Sequence, residues 1–132
     1  MRAHGLPPSA DEIEAIARRT MQALPEPFAS HLSAVVLFIE DFADHGTLTA
    51  MDIGDPFDLS GLYEGIPVGE KGVDQSGAMP DRIRLFRRPI LDEWAAGEDT
   101  LEHLVAHVLI HEIGHHFGLS DDAMHALEDS VA

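Results

Sequence analysis

Five residues in the last third of the chain, His111-Glu112-Ile113-Gly114-His115, carry the pattern H-E-x-x-H. On a helix, His111 and His115 project from one face, about 6 Å apart along the axis. Two imidazoles so placed can grip one divalent ion, and zinc accepts nitrogen and oxygen donors readily. Glu112 lies about 100° round the helix from His111 and about 60° from His115. It can reach a water on the ion without being a ligand itself. Zinc lowers the pKa of such a water toward neutrality, and a neighbouring carboxylate can take its proton.

A catalytic zinc needs a third protein ligand and an open position. The chain continues His116-Phe117-Gly118-Leu119-Ser120-Asp121, so the full pattern is H-E-x-x-H-x-x-G-x-x-D. Gly118 can adopt a left-handed conformation and reverse the chain just past the helix end. That turn swings Asp121 back beneath the two imidazoles. Asp122 and Glu128 are the rival third ligands. Asp122 stands one residue past the register, and Glu128 sits on the following helix. The opposing reading, two partly buried histidines satisfied by hydrogen bonds, accounts for neither Gly118 nor Asp121. His116 is about 100° round from His115, too far to share the same ion.

The elements that must hold these residues can be read outward from the motif. Leu101, Leu104, Val105, Val108, Leu109, Ile110, Ile113 and Phe117 cover most of a helix circumference, which predicts a central, buried helix ending near Phe117. Asp99, with Glu102 three residues on, reads as its N-cap. His103, His107, His111 and His115 form a slowly turning stripe. His103 and His107 are expected on the polar edge, with His107 able to hydrogen-bond near the metal. Ser120-Asp121-Asp122 opens a last helix carrying Met124 and Leu127 on one side. At the other end, Ser9 and Glu12 have capping-box spacing, and a first helix should run until Pro25 and Pro27 stop it.

Ala34 to Ile39 reads as a buried strand. Arg82 to Arg87 alternates, with Ile83 and Leu85 on one face, and reads as a second strand. Its arginines, with Arg88, predict a solvated edge blunted by charge. A docking surface for an acidic partner is the competing reading. Between the two strands, 44–80 shows no period and is expected to lack regular structure, except that Gly61-Leu-Tyr-Glu-Gly65 suits a short strand or turn. Trp94 is expected in a linker packed on the central helix, and Met51, Met79 and Met124 as core or loop fillers. Tyr63, the sole tyrosine, suits packing under a loop, with oxyanion support as the alternative.

Composition narrows the chemistry further. The 132 residues suit one domain, 1–132, with one modest core. There are 8 basic and 24 acidic side chains, a net charge of −16, so phosphate backbones and anionic lipid are poor partners. A metal-dependent nuclease is disfavoured on the same ground. No cysteine is present, which removes thiolate metal sites and cysteine nucleophiles. No segment approaches the roughly 18 apolar residues of a membrane span, and no signal-peptide core opens the chain, so a cytoplasmic location is expected.

These stretches together resemble the minimal zincin-like metallopeptidase family of small bacterial proteins, among the Asp-zincins. The resemblance runs from about Ser9 to Leu127. It is carried by Gly61-Leu-Tyr-Glu-Gly-Ile-Pro67, Pro80-Asp-Arg-Ile-Arg-Leu-Phe86 and Leu109-Ile-His-Glu-Ile-Gly-His-His-Phe-Gly-Leu-Ser-Asp121. It implies an α/β (α+β) fold, a small mixed sheet packed on a central active-site helix with flanking helices. It also implies zinc held by His111, His115 and Asp121, with Glu112 as catalytic base. The expected activity is hydrolysis of peptide or protein substrates, with the peptide extended beside Arg82 to Arg87 and an activating protein partner conceivable for so small an enzyme. The alternative is a metal-stabilised module that binds peptides or proteins without turnover.

Overall fold

The computed structural model describes residues 5–65 and 80–131. Met79, Ile66, Pro67 and most of the second half of the 44–80 stretch lie outside the described residues. Ser9 caps helix α1 (Ala10–Ala23) with a complete capping box to Glu12. A short helix α2 (Phe28–Leu32) follows the prolines, and β1 (Val36–Glu40) follows that. Next come α3 (His45–Ala50), capped by Asp44, a 3-10 turn at Pro56–Asp58, and β2 (Gly61–Glu64). The chain then forms β3 (Arg82–Phe86), α4 (Arg87–Ala96), α5 (Leu101–Phe117) and α6 (Asp121–Val131).

The sheet order is β1-β3-β2, with β1 parallel and β2 antiparallel to β3. One sheet face packs with α1 on α5, whose Val105, Leu109 and Ile113 have no exposed surface. Ile13 and Ala17 of α1 and Ile83 and Leu85 of β3 meet them there. A smaller cluster of Ala43, Leu48, Leu59 and Phe86 fills the space between α3, the 3-10 turn and β3. The architecture is therefore the mixed α+β arrangement expected. No helix among the described residues is long and apolar enough to cross a membrane.

Several expectations need correction. Arg82–Phe86 is the central strand rather than an edge, so no peptide can pair with it. Arg82 is solvated as expected, but the next outward residue is not. Arg84 is buried, and its guanidinium binds Glu40 bidentately (2.9 and 3.1 Å), Asp44 (2.8 Å) and Glu64 (3.3 Å). Alternation suggested a wet outer face, but acids from three other segments converge there and cover it. β1, expected to be buried, is an edge strand with Val36 and Phe38 about two-fifths exposed. The 44–60 stretch holds α3 and the turn in place of a structureless loop, while Gly61–Glu64 forms the short strand that was one of the two expected forms. Trp94 belongs to α4, and the cap of α5 is Thr100, with Asp99 held instead by the His103 ring at 3.2 Å.

Candidate metal centre

The C-terminal half of α5 carries the H-E-x-x-H residues. Gly118 ends the helix in the left-handed conformation (φ 69°), and its N–H bonds back to His115 O. Leu119 N–H reaches Gly114 O at 2.8 Å, completing the stop. α6 then begins at Asp121 and folds back along α5, burying Met124 and Leu127. Gly114 makes this approach close: a Cβ there would collide with Met124 Sδ and Cγ. Gly114→Ala should therefore push α6 away, lower stability by about 1–3 kcal/mol and weaken metal uptake by displacing Asp121. Thermal melts and zinc titration check this; unchanged zinc affinity would show that Asp121 does not depend on this contact.

His111 and His115 stand on one exposed face, their ring centroids 4.4 Å apart. His107 continues the row, 6.2 Å from His111, and its Nδ1 pairs with Glu128 Oε1 at 2.6 Å. The carboxylates of Asp121 and Glu128 both act on His111 through charge. With His107 they line a pocket of about 140 Å³ beside it, and Asp122 lies outside that lining. Burial, then repulsion from the His115 and His107 rings, pushes the His111 pKa down against the pull of those acids. His111 is thus neutral at physiological pH, the form that ligates a cation. Zinc uptake should hold steady from about pH 8 to 7 and decline on acidification below the ordinary imidazole pKa of about 6.5; undiminished affinity at pH 5 in equilibrium dialysis would contradict imidazole ligation.

The donor set suits a divalent ion of the zinc type: two imidazoles and a carboxylate, all exposed and so unopposed by packing if they rotate inward. The three donor atoms do not themselves close to within 4.8 Å of one another; among the described residues a different trio does, His31, Asp81 and His116.

Glu112 lines a second cleft, of about 260 Å³, between α5, β2 and α4, which adjoins the first at His107 and His111. Ser60, Gly61, Glu93, Val108 and His111 share its lining. β2 comes close because residue 61 is glycine; a Cβ there would stand 2.9 Å from Val108 Cγ1 and 3.4 Å from Glu112 Cγ. Burial raises the Glu112 pKa to about 7, partly offset by the Tyr63 N–H donating to its carboxylate. A carboxyl titrating there can both accept and return a proton near neutral pH.

Tyr63 does not present its hydroxyl to this cleft. The OH donates to Asp81 Oδ2 at 3.0 Å, and the ring stacks on His116 at 4.0 Å. His116 is the residue the sequence reading set aside, and its side chain is 2% exposed on another face of α5. A histidine on an otherwise apolar helix face was the available signal. Its partners Asp81 and His31 are remote in sequence and left none.

Set beside this geometry, the model of a family described as zincin-like metallopeptidase matches residues 32–131, from the end of α2 to α6. No curated protein sequence matches the chain.

Proposed function

Because this chain belongs to the zincin-like metallopeptidase family, we propose that it is a zinc-dependent peptidase in which His111, His115 and Asp121 hold the ion and Glu112 is the general base. When bound, zinc supplies Lewis-acid polarisation of the scissile carbonyl and makes water a stronger acid. The observation that carries the reading is the placement of Glu112. Its carboxyl is partly buried, burial pushes its pKa up to about 7, and it opens onto a cleft shared with His111 and bordered by β2.

The chain's residues divide the work. Glu112 takes one proton from the attacking water as its oxygen bonds to the carbonyl carbon. The same carboxyl returns that proton to the leaving nitrogen as the C–N bond breaks, so it ends as it began. The Tyr63 N–H keeps the carboxylate pointed into the cleft. Among the described residues β2 pairs only with β3, and its other edge is the one that would take an extended peptide backbone. This moves the substrate from Arg82–Arg87, which is enclosed, to Gly61–Glu64.

The test is a degenerate peptide library incubated with zinc-loaded protein. New termini that disappear in Glu112→Ala and on chelation support the peptidase. Peptide capture that survives Glu112→Ala, with no cleavage, supports instead a binding module and overturns the enzyme.

A further inference from the structure

We propose that His31, Asp81, His116 and the Tyr63 hydroxyl form a second divalent-cation site of zinc chemistry, separate from the His111–His115 pair and structural in role. This inference does not depend on the peptidase reading.

The geometry comes first. The ligating atoms of His31, Asp81 and His116 lie within 4.8 Å of one another. His116 Nε2 is 3.5 Å and His31 Nε2 3.9 Å from Asp81 Oδ2. Tyr63 OH is 3.0 Å from the same oxygen and 3.5 Å from His31 Nε2. A tetrahedral zinc with arms of about 2.0–2.1 Å holds its donors roughly 3.3–3.4 Å apart. These four edges, 3.0 to 3.9 Å, straddle that value, so small ring rotations would bring the donors to tetrahedral spacing.

The surroundings suit an enclosed ion. Asp81 and His116 side chains are 7% and 2% exposed, while His31, at 25%, leaves a way in from solvent. Phe117 packs edge-on against both imidazoles, 5.0 Å from His31 and 5.4 Å from His116. Gly65 lies over the carboxylate so closely that a Cβ would collide with it. A dication there would attract the buried Asp81 carboxylate and be met by the Nε2 atoms of both imidazoles.

Four protein donors leave no open position, which is the form of a structural site. The donors come from α2, β2, the residue before β3, and α5, so one ion would tie four elements together. Tyr63 connects this to chemistry, since its side chain closes the second site while its N–H holds Glu112. Occupancy would fix β2 against α5 and keep Glu112 aimed.

Cobalt(II) titration of the full chain, read by visible absorption and by metal-to-protein ratio, tests this. Wild type should take two ions. His111→Ala/His115→Ala, which removes only exposed imidazoles, should keep one, with the intense absorption of tetrahedral cobalt. His31→Ala, at the solvent side of the cluster, should also keep one, and joining all three substitutions should abolish uptake. The proposal is overturned if His111→Ala/His115→Ala takes no ion, or if the ion it takes is unaffected by His31→Ala. Uptake by His31→Ala reports the first site alone, so failure of either site is seen separately.

Discussion

Glu112→Gln is expected to abolish peptide hydrolysis and, in the metal-free protein, to raise stability. Both effects come from one carboxyl. Removing a general base typically lowers turnover by about 100- to 10,000-fold, and the amide cannot take a proton from water. The stability gain follows from linkage. Burial raises the folded-state pKa of Glu112 from 4.5 to about 7, so the fold binds this proton more tightly than the unfolded chain does. Stability is then lost as pH rises from about 4.5 to 7 and stays reduced above that. A shift of that size corresponds to at most about 3 kcal/mol, and residual solvation brings the expected gain for Glu112→Gln to about 2 kcal/mol at pH 8. The two proteins should converge near pH 4. Chemical denaturation with chelator present, at both pH values, checks this. A variant less stable than wild type at pH 8 would mean that the carboxylate is held by more than the Tyr63 N–H.

Arg84→Ala should be the most damaging single change away from the metal centre. Arg84 on β3 gathers Glu40 of β1, Asp44 and Thr47 of α3, and Glu64 of β2. In a chain of net charge −16, its removal leaves three carboxylates facing one another around a void. Breaking a buried ion pair from one side costs about 3–5 kcal/mol; the acids are partly exposed and screened, which favours the lower end, a loss of roughly 10 °C in melting temperature. Arg84→Lys should recover little, since an ammonium cannot bind Glu40 bidentately. The acid limb of the stability profile reports on the same network. The Thr47 hydroxyl and the Arg84 guanidinium hold the Asp44 carboxyl far below the usual range. That stabilisation is complete above the ordinary carboxylate pKa and is lost as pH falls below it. Arg84→Ala should show a flatter acid decline; an unchanged decline would place the acid sensitivity elsewhere. Glu64 adjoins Tyr63, so loosening this network also loosens the strand that holds Glu112.

What could be read from the chain beforehand was local. Ser9 and Glu12 announce α1, the apolar girdle from Leu101 to Phe117 announces a central helix, and Gly118 announces its left-handed stop. The spacing of His111, Glu112 and His115 states their mutual angles directly, because a helix converts spacing into geometry. What was hidden depends on long-range pairing. Alternation places Arg84 outward, and only the convergence of Glu40, Asp44 and Glu64 makes that face an interior. The order β1-β3-β2 puts Arg82–Phe86 between two strands that precede it in the chain, a fact no single strand records. α4 leaves little periodic signal because Pro89 and adjacent arginines obscure its period, although a proline is tolerated in a first helical turn. The His31–Asp81–His116 cluster draws on three distant segments and has no spacing to detect.

The central claim is that His111, His115 and Asp121 share one zinc ion. An anomalous difference map recorded at the zinc absorption edge, from crystals equilibrated with zinc, tests it most directly. The account predicts a peak bonded to both imidazoles and to the Asp121 carboxylate, with the Glu112 carboxyl nearby but outside bonding distance. Clear density for His111 and His115 with no anomalous peak between them, or a peak bonded to Asp122 or Glu128 in place of Asp121, would contradict it.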